Sequence, residues 1–265
     1  MNEQSAVIDQ VLLRRDTDGV AWLTLNRPTA RNALSIGLMD ALLAELDAIA
    51  TDDTAKVVVI GGAGPAFCAG HDLRELRSRP EREAYHATFE LCSRLMTRIV
   101  RLPKPVIARV HGVATAAGCQ LVASCDLAVA SASARFATPG VNIGLFCSTP
   151  MVALSRAIGR KAAMEMLLTG DLIDAPRARE LGLVNRVVRE AELDTAVTAL
   201  AAQIVQKSPL TLGIGKEGFY RQAEMGLDEA YAYASEVMTR NMLAHDAAEG
   251  IDAFLAKRTP EWTGT

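Results

Sequence analysis

Small residues fill the segment 111–119, between a predicted strand at residues 106–110 and a predicted helix. Almost every side chain in it is Gly, Ala, Val or Thr, so another molecule could approach the backbone closely. The N–H groups of Ala116, Ala117 and Gly118 would lie at a helix N-terminus, unpaired within the helix and at the positive end of the helix dipole. That arrangement suits a developing oxyanion. Small residues also let two elements pack tightly, so the segment predicts either an anion site or a packing contact.

A second segment of small residues, 61–73, has the same build. It follows a short apolar strand predicted at residues 57–60 and ends where a helix is expected to begin, with Asp72 as a candidate N-cap. It lacks the Gly-Lys-Ser/Thr of a phosphate-binding P-loop and the glycine spacing of a dinucleotide-binding turn. The chain therefore contains two loops that each join a strand to a helix through small residues.

Apolar periodicity and turn residues predict the elements that hold these loops. An Asp18-Gly19 turn between residues 11–14 and 20–26 is typical of a β-hairpin. Further strands are predicted at residues 135–137 and 184–188, with another following the helix of the first segment. Helices are predicted at residues 89–102, 151–158 and 162–168, and also after N-caps at Ser35 and Asp174. Residues 77–83 are charged and polar, which predicts an exposed and mobile segment.

The character of the chain changes at residue 190. Amphipathic helices are predicted from there to the C-terminus, at residues 190–206, 209–223, 227–243 and 247–257. Strand and helix units followed by several helices predict an α/β layered body with a C-terminal helical part. Since no clear linker is present, the prediction is one domain in two sub-regions, residues 1–190 and 191–265.

Composition excludes several classes of function. The 265 residues carry a formal net charge of −3, so there is no basic field to favour nucleic acid or an anionic membrane. Five cysteines lack the paired spacing of a zinc site, so no metal is expected. No apolar run approaches the length of a transmembrane helix, and the first ten residues match neither a signal peptide nor a transit peptide. These features favour a soluble cytoplasmic protein.

The two loops, taken together with later segments, resemble the crotonase, or enoyl-CoA hydratase/isomerase, family. The similarity lies in AFCAGHDL at residues 66–73, HGVATAAGCQLVASCDLAVAS at 111–131, FATPGVNIGL at 136–145, ARELGLVNRVV at 178–188 and GIDAFLAKRTPEW at 250–262. It covers nearly the whole chain in unbroken order. In detail, GHDL, ATAAGCQL and GLFCSTP are most similar to the enoyl-CoA hydratase domain-containing protein 3 subgroup of this family.

The resemblance implies a fold and an assembly. The fold is the crotonase (ClpP-like) spiral of ββα turns with a C-terminal helical region, in the α/β class. Family members form homotrimers or dimers of trimers, so residues 191–265 are expected to serve in oligomerisation and residues 1–190 to hold the acyl-CoA site. The ligand is a coenzyme A thioester, with no other cofactor.

The resemblance also assigns residues. The backbone N–H groups of His71 and Ala117 occupy the family's oxyanion-hole positions, and two such amides would stabilise an enolate. Contacts with coenzyme A or substrate are implied for the first loop and for the C-terminal Phe-x-x-Lys, often across a subunit boundary: Ala66, Cys68, Ala69, Asp72, Leu73, Phe254 and Lys257. An alternative for Lys257 is an exposed cation in the last turn of its helix.

The chain departs from the family where hydratases carry two glutamates. Gln120 stands at the first position and Gly140 at the second. A positioned acid or base contributes about 10²–10⁴ in rate, so efficient water addition is not expected. Gln120 could orient a water or a substrate carbonyl, or hydrogen-bond within the core. The His71 ring could face the acyl group or solvent.

Three other polar residues, Asn142, Cys147 and Ser148, are near the acyl pocket by sequence, but none is a base without activation.

The sequence leaves three functions open. The first is an enoyl-CoA hydratase-like lyase or isomerase of fatty-acid and acyl-CoA metabolism. The second is a base-independent reaction, such as decarboxylation of a malonyl-type coenzyme A thioester. The third is an acyl-CoA-binding protein with little turnover.

Overall fold

The computed structural model describes residues 10–265, which form two β-sheets surrounded by helices. Residues 1–9, which entered the expectation about targeting, lie outside the described residues. The strands are β1 (Leu12–Thr17), β2 (Val20–Leu25), β3 (Val57–Gly62), β4 (Val106–Val110), β5 (Val113–Thr115), β6 (Leu127–Ser131), β7 (Arg135–Ala137), β8 (Ile173–Asp174) and β9 (Arg186–Val188). The helices are α1 (Ile36–Ala50), α2 (Leu73–Ser78), α3 (Arg82–Arg101), α4 (Ala117–Ser124), α5 (Ser148–Ala157), α6 (Arg160–Thr169), α7 (Ala175–Leu181), α8 (Leu193–Val205), α9 (Pro209–Gln222), α10 (Leu227–Met242) and α11 (His245–Ala256).

The larger sheet has the strand order β1-β2-β3-β4-β6-β9, and all neighbours except the β1–β2 hairpin are parallel. Its central strands are apolar at consecutive positions because helices cover both faces. Val58 and Ile60 of β3 face the main core with α1 and α3. Val57 and Val59 point to the opposite face, where α8 packs. The sheet is therefore buried on both sides and forms a rigid floor for the loops at its strand ends.

The smaller sheet has the order β5-β7-β8, with β5 and β7 parallel and β7 and β8 antiparallel. Two isolated bridges, Leu34 with His71 and Cys68 with Ala114, extend this layer toward the first loop. The chain passes from β4 to β5 and from β6 to β7, so one turn places a strand in each sheet. This architecture, with helices at the C-terminus, confirms the predicted spiral of ββα turns.

Several local predictions are confirmed by hydrogen bonds at helix starts. Ser35 Oγ accepts from the Leu38 N–H at 3.2 Å, and Asp174 Oδ1 accepts from the Arg177 N–H at 2.8 Å. These caps are recognisable because the acceptor and the donor lie within one turn.

Other boundaries differ from the predictions. Strand β5 lies inside the small-residue segment, and β8 has only two residues, so neither is long enough to give a periodic pattern. Helix α3 begins at Arg82, well before the predicted start at Phe89. Its buried residues begin only at Thr88, and the exposed first turns therefore lack apolar periodicity. The segment predicted to be exposed and mobile contains the ends of two helices.

The C-terminal helices divide into two groups. Helix α8 packs on the larger sheet through Leu193, Val197 and Leu200, although it follows the division predicted at residue 190. Helices α9 and α10 have no buried residues within this chain. Polar contacts attach α9 to the core: Lys216 Nζ donates to Asp126 Oδ2 at 2.7 Å, and Tyr220 Oη donates to Asp126 Oδ1 at 2.9 Å. In the described part of the chain, no helix is long and apolar enough to cross a membrane.

Candidate active site

The two small-residue loops meet side by side through the isolated bridge between Cys68 and Ala114. The Cys68 N–H donates to the Val113 carbonyl at 3.1 Å, and the Thr115 N–H donates to the Cys68 carbonyl at 3.0 Å. The bridge holds the two loops together three residues before each predicted donor, His71 in the first loop and Ala117 in the second.

Gly70 allows this close approach. It has a φ of +97°, and a Cβ built on it would lie 2.9 Å from Ala116 Cβ and 3.4 Å from Ala117 N. A side chain at residue 70 would therefore press against the start of α4. The absence of a side chain brings the first loop next to the Ala117 amide.

The two amides are available to a ligand. The Leu34 N–H donates to the Gly70 carbonyl at 2.7 Å and the Leu34 carbonyl accepts from Asp72 at 3.1 Å, which leaves the His71 N–H outside this pairing. Neither the His71 N–H nor the Ala117 N–H has an acceptor among residues 10–265. The Ala116 N–H, which was predicted to be unpaired within the helix, donates to the Ala137 carbonyl of β7 at 2.9 Å and is therefore not available to a ligand.

The backbone conformation of Ala116 sets the direction of the Ala117 N–H. Ala116 has φ 50° and ψ −118°, a conformation that favours glycine, and it turns the chain from β5 into α4. Non-glycine residues held in such conformations carry about 1–3 kcal/mol of strain and cluster at functional sites. The turn makes Ala117 the first residue of α4, where helix N–H groups have no partner in the helix.

Tight packing between the two loops explains why residue 118 is a glycine. A Cβ on Gly118 would lie 2.1 Å from the Cys68 carbonyl oxygen, which is the same oxygen that holds the bridge. The packing interpretation of the small-residue segment therefore applies at Gly118, and the anion-site interpretation stays a prediction. Gly118 serves the contact between the loops, and Ala117 presents an unpaired donor.

Asn32 supports the first loop, a role that was not predicted from the sequence. The side chain is fully buried, and its Nδ2 donates to the carbonyls of Ala63 and Ala66 at 2.8 Å each. Its Oδ1 accepts from the Arg27 N–H at 2.9 Å. A sequence signal was available, because Asn tolerates the left-handed conformation that Asn32 adopts, with φ 54°.

Most of the residues predicted to contact coenzyme A in the first loop have buried or engaged side chains. Ala66 and Cys68 are buried, so only their backbone could contact a ligand, and burial raises the pKa of the Cys68 thiol to about 12. Asp72 caps α2 through the Arg74 and Glu75 amides, and its other oxygen accepts from Arg27 at 2.9 Å.

The Asp72 carboxylate is therefore structural. Burial alone would raise the pKa of Asp72, but hydrogen bonds from Arg27 and from the helix amides lower it below its usual value. Ala69 is half-buried, and Leu73 is 49 % exposed at the start of α2.

Gln120 is buried in α4, with only 4 % of its surface exposed. Its Oε1 lies 3.9 Å from Cys92 Sγ on α3, and burial raises the pKa of that thiol to about 12, so Cys92 remains a weak donor. The side chain also lines a cleft of about 1550 Å³ between α3, α5 and α9. Among residues 10–265, no ion pair or hydrogen bond joins Gln120 to a charged side chain, and the Cys92 thiol beside it is in its neutral form.

Gly140 leaves no room for a side chain. A Cβ there would lie 2.5 Å from the Leu145 carbonyl oxygen and 2.9 Å from Cys147 Sγ. The following loop is held in this position because the Leu145 N–H donates to the Gly140 carbonyl at 2.9 Å. The space that a side chain at residue 140 would need is therefore occupied by the Leu145 backbone.

We expect Gly140→Glu to lower the free energy of unfolding by about 3 kcal/mol, because the Leu145 backbone must move to admit the side chain. Combining it with Gln120→Glu is therefore not expected to create a hydratase. Urea unfolding and a crotonyl-CoA hydration assay measure these effects. Gly37→Glu is the control, since a Cβ there meets nothing within 4 Å. Equal stability of the two variants would contradict the prediction.

The remaining predicted residues differ in their exposure. Asn142 and Ser148 are exposed, and Cys147 is buried, which raises the pKa of its thiol. Phe254 is 83 % exposed near the end of α11, and Lys257 follows as an exposed left-handed cap residue. Their role toward coenzyme A stays a prediction. Among residues 10–265, no group of three or more His, Cys, Asp or Glu side chains could hold a metal ion.

The His71 ring does not face solvent. It packs edge-on against Phe89 of α3, with ring centroids 5.5 Å apart and an interplanar angle of 78°. Both ring nitrogens are buried and lack a hydrogen-bond partner in the described structure. Burial lowers the pKa of His71 below its usual value, which favours the neutral imidazole.

Comparison with known proteins gives a consistent assignment. The family model described as enoyl-CoA hydratase/isomerase matches residues 15–265. Human enoyl-CoA hydratase domain-containing protein 3, mitochondrial, is 47 % identical over 249 residues, which is 94 % of this chain and 82 % of the human protein. The Escherichia coli 2,3-dehydroadipyl-CoA hydratase is 37 % identical over 247 residues, covering 92 % of this chain and 95 % of that protein.

Solved structures agree with the similarity to enoyl-CoA hydratases. The crystal structure of an enoyl-CoA hydratase from Mycobacterium smegmatis has a TM-score of 0.94 and 54 % identity, and covers 96 % of this chain and 99 % of that one. Human enoyl-CoA hydratase domain-containing protein 3 has a TM-score of 0.92 and 46 % identity, with 96 % and 100 % coverage. The similarity to this subgroup, predicted from GHDL, ATAAGCQL and GLFCSTP, is confirmed.

The expectation of a cytoplasmic location is wrong. It depends on composition and on the absence of a recognisable targeting pattern in the first ten residues. The rat and human enoyl-CoA hydratase domain-containing protein 3 relatives are named as mitochondrial, and these names point to mitochondria rather than to the cytoplasm.

Proposed function

Because this chain belongs to the enoyl-CoA hydratase/isomerase family, we propose that it binds acyl-CoA thioesters and stabilises their enolates between two backbone amides. The donors are the N–H groups of His71 and Ala117. The observation that carries the proposal is that both amides lack an acceptor among residues 10–265, on two loops that the Cys68–Ala114 bridge joins. Family membership and the relatives place the chain in acyl-CoA-related metabolism.

The chemistry follows from where charge develops. Removing an α-proton, or a carboxylate, from an acyl thioester leaves an enolate whose negative charge lies largely on the thioester oxygen. Fixed donors aimed at that oxygen stabilise the charged state more than the neutral substrate, and one such donor contributes about 10²–10³ in rate. The unpaired start of α4 adds the positive end of its dipole in the same direction.

Coenzyme A would lie along the first loop, contacting the backbone of Ala66, Cys68 and Ala69. Phe254 and Lys257 would reach it from a neighbouring subunit, because both are exposed within this chain. We propose a homotrimer, or a dimer of trimers, built through the C-terminal helices. An exposed apolar stripe along α10 supports such an assembly: Leu227, Tyr231, Met238 and Met242.

Efficient hydration is not part of the proposal. Water addition in this family uses two carboxyl groups, whereas this chain has an amide at Gln120 and backbone at the Gly140 position. Two alternatives use the same pair of amides without those groups. One is decarboxylation of a malonyl-type thioester, in which the departing CO₂ leaves the enolate. The other is acyl-CoA binding with little turnover.

A single ligand tests the proposed site. Acetoacetyl-CoA forms an enolate that absorbs in the near ultraviolet, so titration into the purified protein reports both binding and enolate stabilisation. We expect saturable binding with the enolate absorbance. Binding without this absorbance, or no binding, would overturn the proposal. Product analysis with crotonyl-CoA and methylmalonyl-CoA then separates hydration from decarboxylation.

A further inference from the structure

The residues that follow α11, 258–265, form a C-terminal tail that lies against this helix. Arg258 makes a two-pronged ion pair with Glu249 of α11, with N–O distances of 2.6 and 2.7 Å. The Glu261 N–H donates to the same carboxylate at 2.8 Å. The hydrogen bonds from Arg258 and Glu261 lower the pKa of Glu249 to about 2, so this carboxylate is charged at neutral pH. Glu249 therefore fastens the first half of the tail to α11.

Asp246, in the first turn of α11, holds the end of the tail. Its Oδ1 accepts from the Thr263 N–H at 2.8 Å, and its Oδ2 accepts from the Gly264 N–H at 3.1 Å. Ser208 Oγ, which caps α9, donates to Oδ2 at 2.6 Å. The carboxylate is 1 % exposed and has no ion-pair partner among residues 10–265. Because a buried charge is costly without hydrogen bonds, Asp246 favours the docked tail.

Lys257, which joins α11 to the tail, has a strained backbone. Its φ of 55° and ψ of 40° lie in the left-handed region, where glycine is the usual residue after a helix. The Lys257 N–H donates to the Phe254 carbonyl at 3.2 Å, and the Arg258 N–H donates to the Ala253 carbonyl at 3.0 Å. Residues other than glycine persist in such conformations where the surrounding structure fixes them, and they cluster at functional sites. A lysine in this turn therefore points to a role for its side chain.

We propose that the C-terminal tail holds Lys257 in the orientation in which its ammonium group binds a phosphate of coenzyme A, with Glu249 and Asp246 as positioning residues. This inference rests on the proposed function, in which Lys257 reaches coenzyme A from a neighbouring subunit. An ammonium group binds phosphate oxygens through charge-assisted hydrogen bonds. The backbone angles of Lys257 set the direction of its side chain. Release of the tail would let this backbone relax and would move the ammonium group away from the phosphate.

The test is titration of acetoacetyl-CoA and of acetoacetyl-pantetheine, which has the same thioester but no phosphate, with the enolate absorbance as the signal. We expect Glu249→Gln to raise the Kd of acetoacetyl-CoA about tenfold, the effect of losing one charge-assisted hydrogen bond. The Kd of acetoacetyl-pantetheine and the absorbance at saturation should change by less than about twofold, because neither depends on Lys257. Glu180→Gln, at an exposed, ion-paired glutamate of α7, is the matched control and should leave both Kd values unchanged.

Further variants show whether the effect passes through Lys257. Lys257→Ala should weaken acetoacetyl-CoA binding by a similar factor. Adding Glu249→Gln to it should cause no further loss, because residues that act as one unit are not additive. Asp246→Asn should repeat the selective loss for acetoacetyl-CoA. Lys257→Gly should melt at a higher temperature than Lys257→Ala, because glycine adopts the left-handed backbone without strain.

Three results would overturn the inference while leaving the enolate site intact. They are an unchanged acetoacetyl-CoA Kd in Glu249→Gln, an equal loss for the two ligands, and full additivity of Glu249→Gln with Lys257→Ala. Glu249 is only half-buried, so its variant decides the question even where Asp246→Asn does not fold. Failure of the wild-type protein to form the enolate with either ligand would instead reject the proposed function.

Discussion

Removing the Ala117 N–H is expected to abolish the enolate absorbance of bound acetoacetyl-CoA and to lower acyl-CoA turnover about 10²–10³-fold. Proline at this position deletes the donor, and the first residue of a helix tolerates its backbone geometry, although its ring must fit where Ala117 is fully buried. The preceding residue must change as well. Proline disfavours many backbone conformations of its neighbour, and Ala116 is already held at φ 50° and ψ −118°.

The informative comparison is Ala116→Gly/Ala117→Pro against Ala116→Gly alone. Glycine adopts the required backbone at residue 116 without strain, so both variants should fold. The two variants differ in one hydrogen-bond donor. Their acyl-CoA dissociation constants, measured by titration, should therefore agree within about tenfold, whereas their turnover rates should diverge. Rates within threefold of each other would show that the Ala117 amide does not stabilise the reacting state.

Gly118→Ala is expected to lower the free energy of unfolding by about 3 kcal/mol, at the upper end of overpacking effects. Its Cβ would lie 2.1 Å from the Cys68 carbonyl oxygen, and this contact is with backbone that cannot rotate away. The same carbonyl accepts from Thr115, so relief requires the bridge between the two loops to open. We therefore expect loss of the acetoacetyl-CoA enolate signal even under conditions in which the variant remains folded.

Gly215→Ala provides the control for this substitution. Gly215 also lies inside a helix, and nothing is within 4 Å of a Cβ built there. Alanine in place of an unhindered helical glycine stabilises by about 0.5–1 kcal/mol. Opposite signs for the two variants in urea unfolding would locate the effect at the contact between the loops. A change of the same sign in the unfolding free energy of both variants would mean that helix propensity dominates and that the contact between the loops tolerates a methyl group.

Features defined by neighbours along the chain could be predicted from the sequence. The caps at Ser35, Asp72 and Asp174 each bond to amides within the next turn, and all three are present. The larger sheet follows from short apolar runs such as β3, which is buried over nearly its whole length. The resemblance added the pairing of His71 with Ala117, which neither loop could have indicated alone.

Features defined by distant backbone could not be predicted. From the sequence, Gly140 shows only that a side chain is missing at this position. The structure shows that the Leu145 carbonyl occupies the space that such a side chain would need. The contact of the His71 ring with Phe89 depends on where α3 crosses the first loop. Strand β5 has three residues, and its identity comes from pairing with Arg135–Ala137 rather than from its own composition.

The two proposed donors are main-chain groups, and every residue except proline supplies a main-chain N–H whatever its codon specifies. Point mutations can therefore exchange the acids and bases around this site, as a comparison of Gln120 and Gly140 with the family pattern indicates, while the donors are inherited unchanged. A lineage that loses one reaction would keep the proposed thioester-binding site, and selection could establish a different reaction there. Whole-chain similarity in such a lineage is a better guide to the ligand than to the reaction.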